Sequence, residues 1–287
     1  IVKWISKGKL RRSKSKQNLP ILAAHKYNEQ KQVSGTKVCI NPKAINKHIP
    51  PSKATIPNIG KLLNKFAVKK IFAEIDCDDA FLQMELAPEE RDTLSFTWRN
   101  IKYSFIGCPY GVKSFSFEFQ QRLEVILEGL PGCIYNYIDN INLASETWEE
   151  HEEQLIALLT RLNEKNVKIN LKKFKIGRTA IRMLGHVITK EGIRPDPLKV
   201  RQVMEIPFPP DFKTMQHFLG VTNYLRDHIR NMSTITAPLD KAKIDATSYT
   251  REITAHEQEM RQAFDIVKQA IASAPILRYP TPDRPYY

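Results

Sequence analysis

The spacing of apolar and polar positions changes several times along the chain, and each change marks an element. Lys70 to Cys77 is an apolar, β-compatible run that predicts a strand. Asp78 and Asp79 follow where acids favour a helix N-terminus, so Ala80 to Leu86 is expected as a helix. Cys133 to Leu143 is a second β-prone run. It is broken at Asp139 and Asn140, residue types that tolerate the positive φ of a hairpin turn. Thr147 and Glu150 form a capping box, after which His151, Leu155, Leu158, Leu159 and Leu162 recur at helical spacing.

Further along, Met183 to Pro195 reads as a hairpin turning near Glu191 and Gly192, and Asp196 with Pro197 caps and starts a helix. Pro207 to Pro210 marks a linker, because a polyproline segment has no internal hydrogen bonds. Beyond it, Lys213 to His228 is expected as one helix. Thr254 with Glu257 caps another, whose buried face carries Met260, Phe264, Val267 and Ile271. The first twenty residues, basic and serine-rich, predict a short helix and an extended lead-in to Pro20. This order defines an α+β fold at residues 1–206 and a mostly helical region at 207–287. Because Ile1 and not Met stands first, with no helix-start signal before Trp4, the chain reads as part of a longer polypeptide.

Composition narrows the partners. The 287 residues are 42% hydrophobic and 26% charged, enough to bury a sizeable core. No run approaches the ~18 apolar residues of a membrane helix, and no secretory pattern opens the chain, so an intracellular setting without membrane contact is expected. Cys39, Cys77, Cys108 and Cys133 lack the paired spacing of zinc or redox motifs and read as reduced thiols. The 44 basic against 31 acidic residues give a formal charge of +13, which points to polyanionic partners. The excess concentrates before Glu29, and again from Lys165 to Arg182, as expected of either solvated faces or phosphate-backbone contacts.

Acids at strand ends are the candidate chemistry. Glu74-Ile75-Asp76-Cys77-Asp78-Asp79 and Tyr137-Ile138-Asp139-Asn140 would bring oxygen ligands from two strands together, as a hard cation requires. Taken alone, the same residues also fit a helix cap and a hairpin turn.

Their flanks decide between these readings, because the chain resembles the reverse transcriptases of gypsy-type LTR retrotransposons over almost its whole length. The matching blocks, in order, are Trp4 to Leu10 with Leu19-Pro20-Ile21, then Lys37 to Lys47, Phe72 to Met84, Cys108-Pro109-Tyr110-Gly111-Val112 ending at Phe119-Gln120, and Tyr137-Ile138-Asp139-Asn140 in the place of a Tyr-x-Asp-Asp signature. Asn170-Leu171-Lys172-Lys173, Leu184-Gly185-His186-Val187 with Glu191-Gly192-Ile193, and Phe218-Leu219-Gly220 with Asn223-Tyr224 continue the series into palm, primer grip and thumb. Ala274 to Leu277 and Tyr279 to Pro285 resemble the segment before the family's RNase H domain.

The resemblance implies a right-hand polymerase fold, with fingers and palm followed by a thumb and connection. It also implies two Mg²⁺ ions, or Mn²⁺, held by Asp76, Asp139 and the Cys77 carbonyl. By the same resemblance Phe81 is the steric gate against a ribose 2′-hydroxyl. Asp79, Ala80, Tyr110 and Lys37 border the deoxynucleoside triphosphate, and Lys172 or Lys173 supplies a proton to pyrophosphate. The implied partners are an RNA or DNA template with its primer and the RNase H and integrase domains downstream in a parent polyprotein; a dimer partner belongs to the structural-subunit alternative. The implied setting is the cytoplasm, the element's particles or the nucleus.

Four departures stand out. Asn140 replaces the second Asp of the signature, and a neutral carboxamide removes a full negative charge from a site meant for two divalent ions. Lys37 stands for an Arg and loses its bidentate fork. Asn41 replaces an Asp, and Phe115-Ser116 replaces a small residue and a proline. The expected function is therefore an RNA-directed DNA polymerase domain impaired at Asn140, with a non-catalytic primer-template binding module or structural subunit as the alternative.

Overall fold

A computed structural model of the chain describes residues 1–27, 32–50, 65–66 and 69–279, with the backbone alone for Lys26, Tyr27, Ser34 and Lys37. Two compact units form: Ile1–Pro57 with Ala73–Gly177, and Asn58–Phe72 with Arg178–Tyr287. The Pro207 to Pro210 linker would place residues 178–206 with the first part, whereas in the fold they group with the second.

The first unit is built on a four-stranded sheet that runs, in order, β7 (Cys133–Tyr137), β8 (Asn140–Ser145), β4 (Ile71–Asp76) and β9 (Lys175–Arg178). Strand β4 buries Ile71, Phe72, Ala73 and Ile75, which is why its apolar run is nearly unbroken. Strands β7 and β8 form the expected hairpin, in register from Cys133 opposite Ala144 to Tyr137 opposite Asn140. Helices α3 (Phe115–Leu127) and α4 (Trp148–Glu164) pack on the hairpin, burying Phe119, Leu123, Leu158 and Leu162 in the same core.

The start of α4 follows its sequence signal. The Thr147 hydroxyl accepts the Glu150 amide at 3.2 Å, while the Glu150 carboxylate reaches past the cap to the Glu146 amide at 3.1 Å. At the other end of the unit, α1 (Val2–Ser6) and β1 (Leu10–Arg12) match the expected helix and lead-in, and β1 joins β5 (Ser95–Trp98) and β6 (Ile101–Phe105) in order β1-β6-β5. Strands β2 (Ile21–Tyr27) and β3 (Val33–Ile40) form a separate ribbon ahead of α2 (Lys43–Asn46).

In the second unit the expected hairpin gains a strand. Strands β10 (Ala180–Met183), β11 (His186–Thr189) and β12 (Gly192–Pro195) pair in that order. Asp196 then caps α5 (Pro197–Met204), its carboxylate accepting the Leu198 amide at 2.9 Å.

Three helical expectations change. Lys213 to His228 is not one helix: α6 (Phe212–Asn223) ends and Arg226–His228 forms a 3₁₀ turn. Helix α7 (Met232–Ala242) is additional; Pro238 within it masks a buried face of Met232, Thr236, Leu239 and Ala242. Thr254 is no cap. Helix α8 (Ala246–Ala272) begins at Asp245, whose carboxylate accepts the Ser248 amide at 2.7 Å, and it passes Thr254 and kinks at His256. The Thr254 hydroxyl donates instead to the Thr250 carbonyl at 2.7 Å, the habit of a threonine inside a helix. The expected face of Met260, Phe264, Val267 and Ile271 is buried, against Phe218 and Met215.

Candidate active site

The two acid-bearing segments meet at the end of the central sheet. The Cys77 amide donates to the Asp139 carbonyl at 2.9 Å, which ties the residue after β4 to the tip of the β7-β8 hairpin. On the other side of Asp76, its carbonyl accepts the Asn170 amide at 2.8 Å, and Cys77 bridges Ile169. Asp76 is thus fixed from two directions. Its carboxylate is 15% exposed, and one oxygen lies 2.8 Å from the Lys173 ammonium.

The electrostatics agree with this convergence. Burial pushes the Cys77 thiol up to about 12, and the Asp139 and Asp76 carboxylates add to the effect. The Tyr110 hydroxyl is also pushed up, first by burial and then by Asp79, Asp139, Asp76 and Asp78. One phenol therefore senses all four acids. The Tyr110 ring lies 5.1 Å from that of Phe81, which meets Phe119 edge-on at 5.8 Å. Ala80 is buried and Phe81 half-buried at the rim of this group.

Two local expectations are corrected. The segment after Asp79 is a single 3₁₀ turn, Ala80–Gln83, and no long helix dipole is available there. Asp79 adopts φ +47° without capping the turn; Lys7 bonds Asp78 at 3.0 Å and Asp79 at 3.4 Å. The hairpin loop is Ile138-Asp139, not Asp139-Asn140, since Asn140 already pairs with Tyr137 as the first residue of β8. The positive φ falls on Ile138, at +55°. This is a costly conformation for a β-branched residue.

What holds Ile138 there is Gln120. This side chain is 9% exposed on α3, and its oxygen accepts the Ile138 amide at 2.5 Å while its nitrogen donates to the Asn136 carbonyl at 3.1 Å. Sequence reasoning notes Gln120 only as the end of a motif. Its signal is a carboxamide between Phe119 and Leu123, on the face of the helix that those two residues bury.

The remaining candidates are more dispersed. Lys37 lies on β3 opposite Ala24, and its side chain lies outside the described residues. The Lys172 amide bonds the Asn170 side chain at 3.2 Å, and Lys173, not Lys172, contacts Asp76. Phe115 is half-buried against the first core. Among the described residues no group of three or more His, Cys, Asp or Glu side chains is arranged to hold a metal ion. The carboxylates at Asp76 and Asp139 are still hard oxygen donors on neighbouring backbone, which suits a divalent cation, with one carboxylate fewer than a triad.

A central sheet with paired acids at one end, backed by helices and bordered by an aromatic rim, is the arrangement of a polymerase-type fold. Residues 30–188 match the reverse transcriptase (RNA-dependent DNA polymerase) family, and the chain belongs to it. It is 29% identical, over 98% of its length, to the Retrovirus-related Pol polyprotein from transposon opus of Drosophila melanogaster, and 27% identical over 97% to that from transposon gypsy of the same organism. It spans only 29% and 28% of those relatives' lengths. Among solved structures, the foamy viral protease-reverse transcriptase dRH in complex with double-stranded DNA superposes with TM-score 0.83 at 23% identity, covering 96% of this chain and 47% of that one. The foamy viral enzyme with an RNA/DNA hybrid gives TM-score 0.77 at 23% identity, covering 96% of this chain and 36% of that one. The chain is a reverse transcriptase domain of the kind found in LTR-retrotransposon Pol polyproteins, with the α+β polymerase fold.

Proposed function

We propose that the domain extends a primer on an RNA or DNA template by RNA-directed DNA polymerase chemistry, and that Asn140 weakens the step. The observation that carries this reading is the Cys77-to-Asp139 backbone bond, which sets the two carboxylate-bearing strands side by side. Asp76 and Asp139, with the Cys77 carbonyl, would hold two Mg²⁺ ions, or Mn²⁺. When bound, such ions favour the attacking alkoxide and neutralise charge on the transferring phosphoryl group.

This chain's own residues supply position. Phe81, braced by Tyr110 and Phe119, forms a wall suited to refusing a ribose 2′-hydroxyl. The net charge of +13 suits a phosphate-bearing duplex, and the two foamy viral structures compared above hold double-stranded DNA and an RNA/DNA hybrid. Asn140 keeps the hairpin pairing with Tyr137 but contributes no charge, so metal affinity and rate fall together while duplex binding is retained.

The test is primer extension on an RNA template with Mg²⁺ or Mn²⁺, comparing the chain with its Asn140→Asp variant. Extension by the variant well above that of the parent supports the reading. Robust extension by the parent removes the impairment. Salt-sensitive duplex binding without extension by either protein would favour a non-catalytic binding module.

A further inference from the structure

We infer that Lys173 is a tethered cation that occupies Asp76 and competes with divalent metal for it. The inference rests on the polymerase reading of the site, in which Asp76 is a metal ligand. The Lys173 ammonium lies 2.8 Å from Asp76 Oδ2, with the lysine side chain 60% exposed and the aspartate 15% exposed. The lysine therefore reaches from solvent over a largely covered carboxylate.

Its placement is built in by the backbone. The Asn170 amide bonds the Asp76 carbonyl at 2.8 Å, and the Lys173 amide closes a turn onto the Asn170 carbonyl at 3.0 Å. A turn anchored on Asp76 itself thus delivers the ammonium to the Asp76 side chain. The pattern repeats two residues away, where Lys175 meets Glu74 at 2.8 Å, and Lys7 spans Asp78 and Asp79. Each acid of the run from Glu74 to Asp79 thus meets a lysine, with Lys7 shared between Asp78 and Asp79.

An ammonium and a hard divalent ion seek the same carboxylate lone pairs, so the ion gains Asp76 Oδ2 only as the Lys173 contact opens. With Asn140 neutral, the site has less charge to draw the ion in, and the competition matters more.

The experiment is Mn²⁺ binding to the protein without nucleic acid, read as loss of the free Mn²⁺ electron paramagnetic resonance signal. Lys173→Met should tighten Mn²⁺ about two- to fivefold, the size of a partly exposed ion pair released. Lys172→Met removes an equal charge one residue away and should give clearly less. Equal gains in both variants would reduce the effect to net charge and overturn the inference, as would no gain in Lys173→Met. Asp76→Asn separates the premises. If it leaves Mn²⁺ binding unchanged, the ion is not at Asp76, and the metal reading falls together with the inference. If it weakens binding while Lys173→Met does nothing, only the inference falls.

Discussion

The side-chain oxygen of Gln120 accepts the Ile138 amide at 2.5 Å, so α3 clamps the hairpin tip from one side while the Cys77 amide holds the Asp139 carbonyl from the other. The same carboxamide donates to Asn136, and the Asn136 side chain returns a bond to the Gln120 carbonyl at 3.4 Å. Ile138 sits at φ +55°, a conformation that costs on the order of 1–3 kcal/mol unless its surroundings impose it. Gln120→Leu keeps the volume and removes the clamp. It should cost about 1–3 kcal/mol in urea unfolding, because the part-buried Ile138 amide loses its acceptor and the buried Asn136 carbonyl loses a donor. Primer extension in an Asn140→Asp background should fall by more than the stability loss alone explains. Unchanged stability would show that the hairpin holds its own shape.

An acid at position 140 destabilises the metal-free protein. Asn140→Asp adds a third carboxylate beside Asp139 and Asp76, and like charges there should cost on the order of 1 kcal/mol. For a chain of this size that is a fall of roughly 2–4 °C in Tm without divalent ions. Adding Mg²⁺ or Mn²⁺ should reverse the order, since an ion that binds the folded state alone raises Tm with its concentration. Thermal scans of both proteins across a metal titration check this. Parallel curves would mean that residue 140 does not face the ion.

Much of this site is legible in the sequence where local pattern and burial agree. Strand β4 reads as a strand because Ile71 to Ile75 are mostly buried, and Thr147 reads as a cap because nothing competes with it. The hairpin is legible too, but its turn is not: Asp139 and Asn140 carry the turn chemistry, whereas the Gln120 bond moves the positive φ onto Ile138. Likewise Asp78 and Asp79 look like helix-capping acids, yet Lys7, some seventy residues earlier, bonds both side chains. Such long-range partners leave no mark on local periodicity. Thr254 shows the reverse failure, a capping pattern that the buried face of α8 overrides.

Gly107 makes a packing prediction beside the aromatic rim. A Cβ built there would lie 2.3 Å from the Leu82 carbonyl oxygen, in the 3₁₀ turn that carries Phe81, and that oxygen also accepts the Lys9 ammonium at 3.0 Å. Backbone cannot yield as a flexible side chain does. Gly107→Ala should destabilise by about 1–3 kcal/mol, with displacement of the Phe81 turn. Unfolding experiments measure the first effect. Discrimination between deoxy- and ribonucleotides, in a background that extends primers, measures the second. Wild-type stability would mean the turn relaxes freely.

In the second unit, His186 stacks on His228 with ring centroids 5.3 Å apart, both rings buried. Burial lowers both pKa values from 6.5. For His228 the facing His186 lowers it further; Asp227 opposes for both rings, as does Asp196 for His186. Because the folded state holds fewer protons than the unfolded chain, stability is full above about pH 6.5 and falls as the pH drops through the depressed folded values. His151, buried in the first unit and also lowered, adds to the same trend. The guanidinium midpoint should therefore be lower at pH 5.5 than at pH 7.5. Replacing both histidines of the pair with Asn or Gln should flatten that slope, even though it lowers stability at neutral pH by removing packed rings. A slope that survives the double replacement would assign the acid sensitivity elsewhere, with His151 the next residue to change.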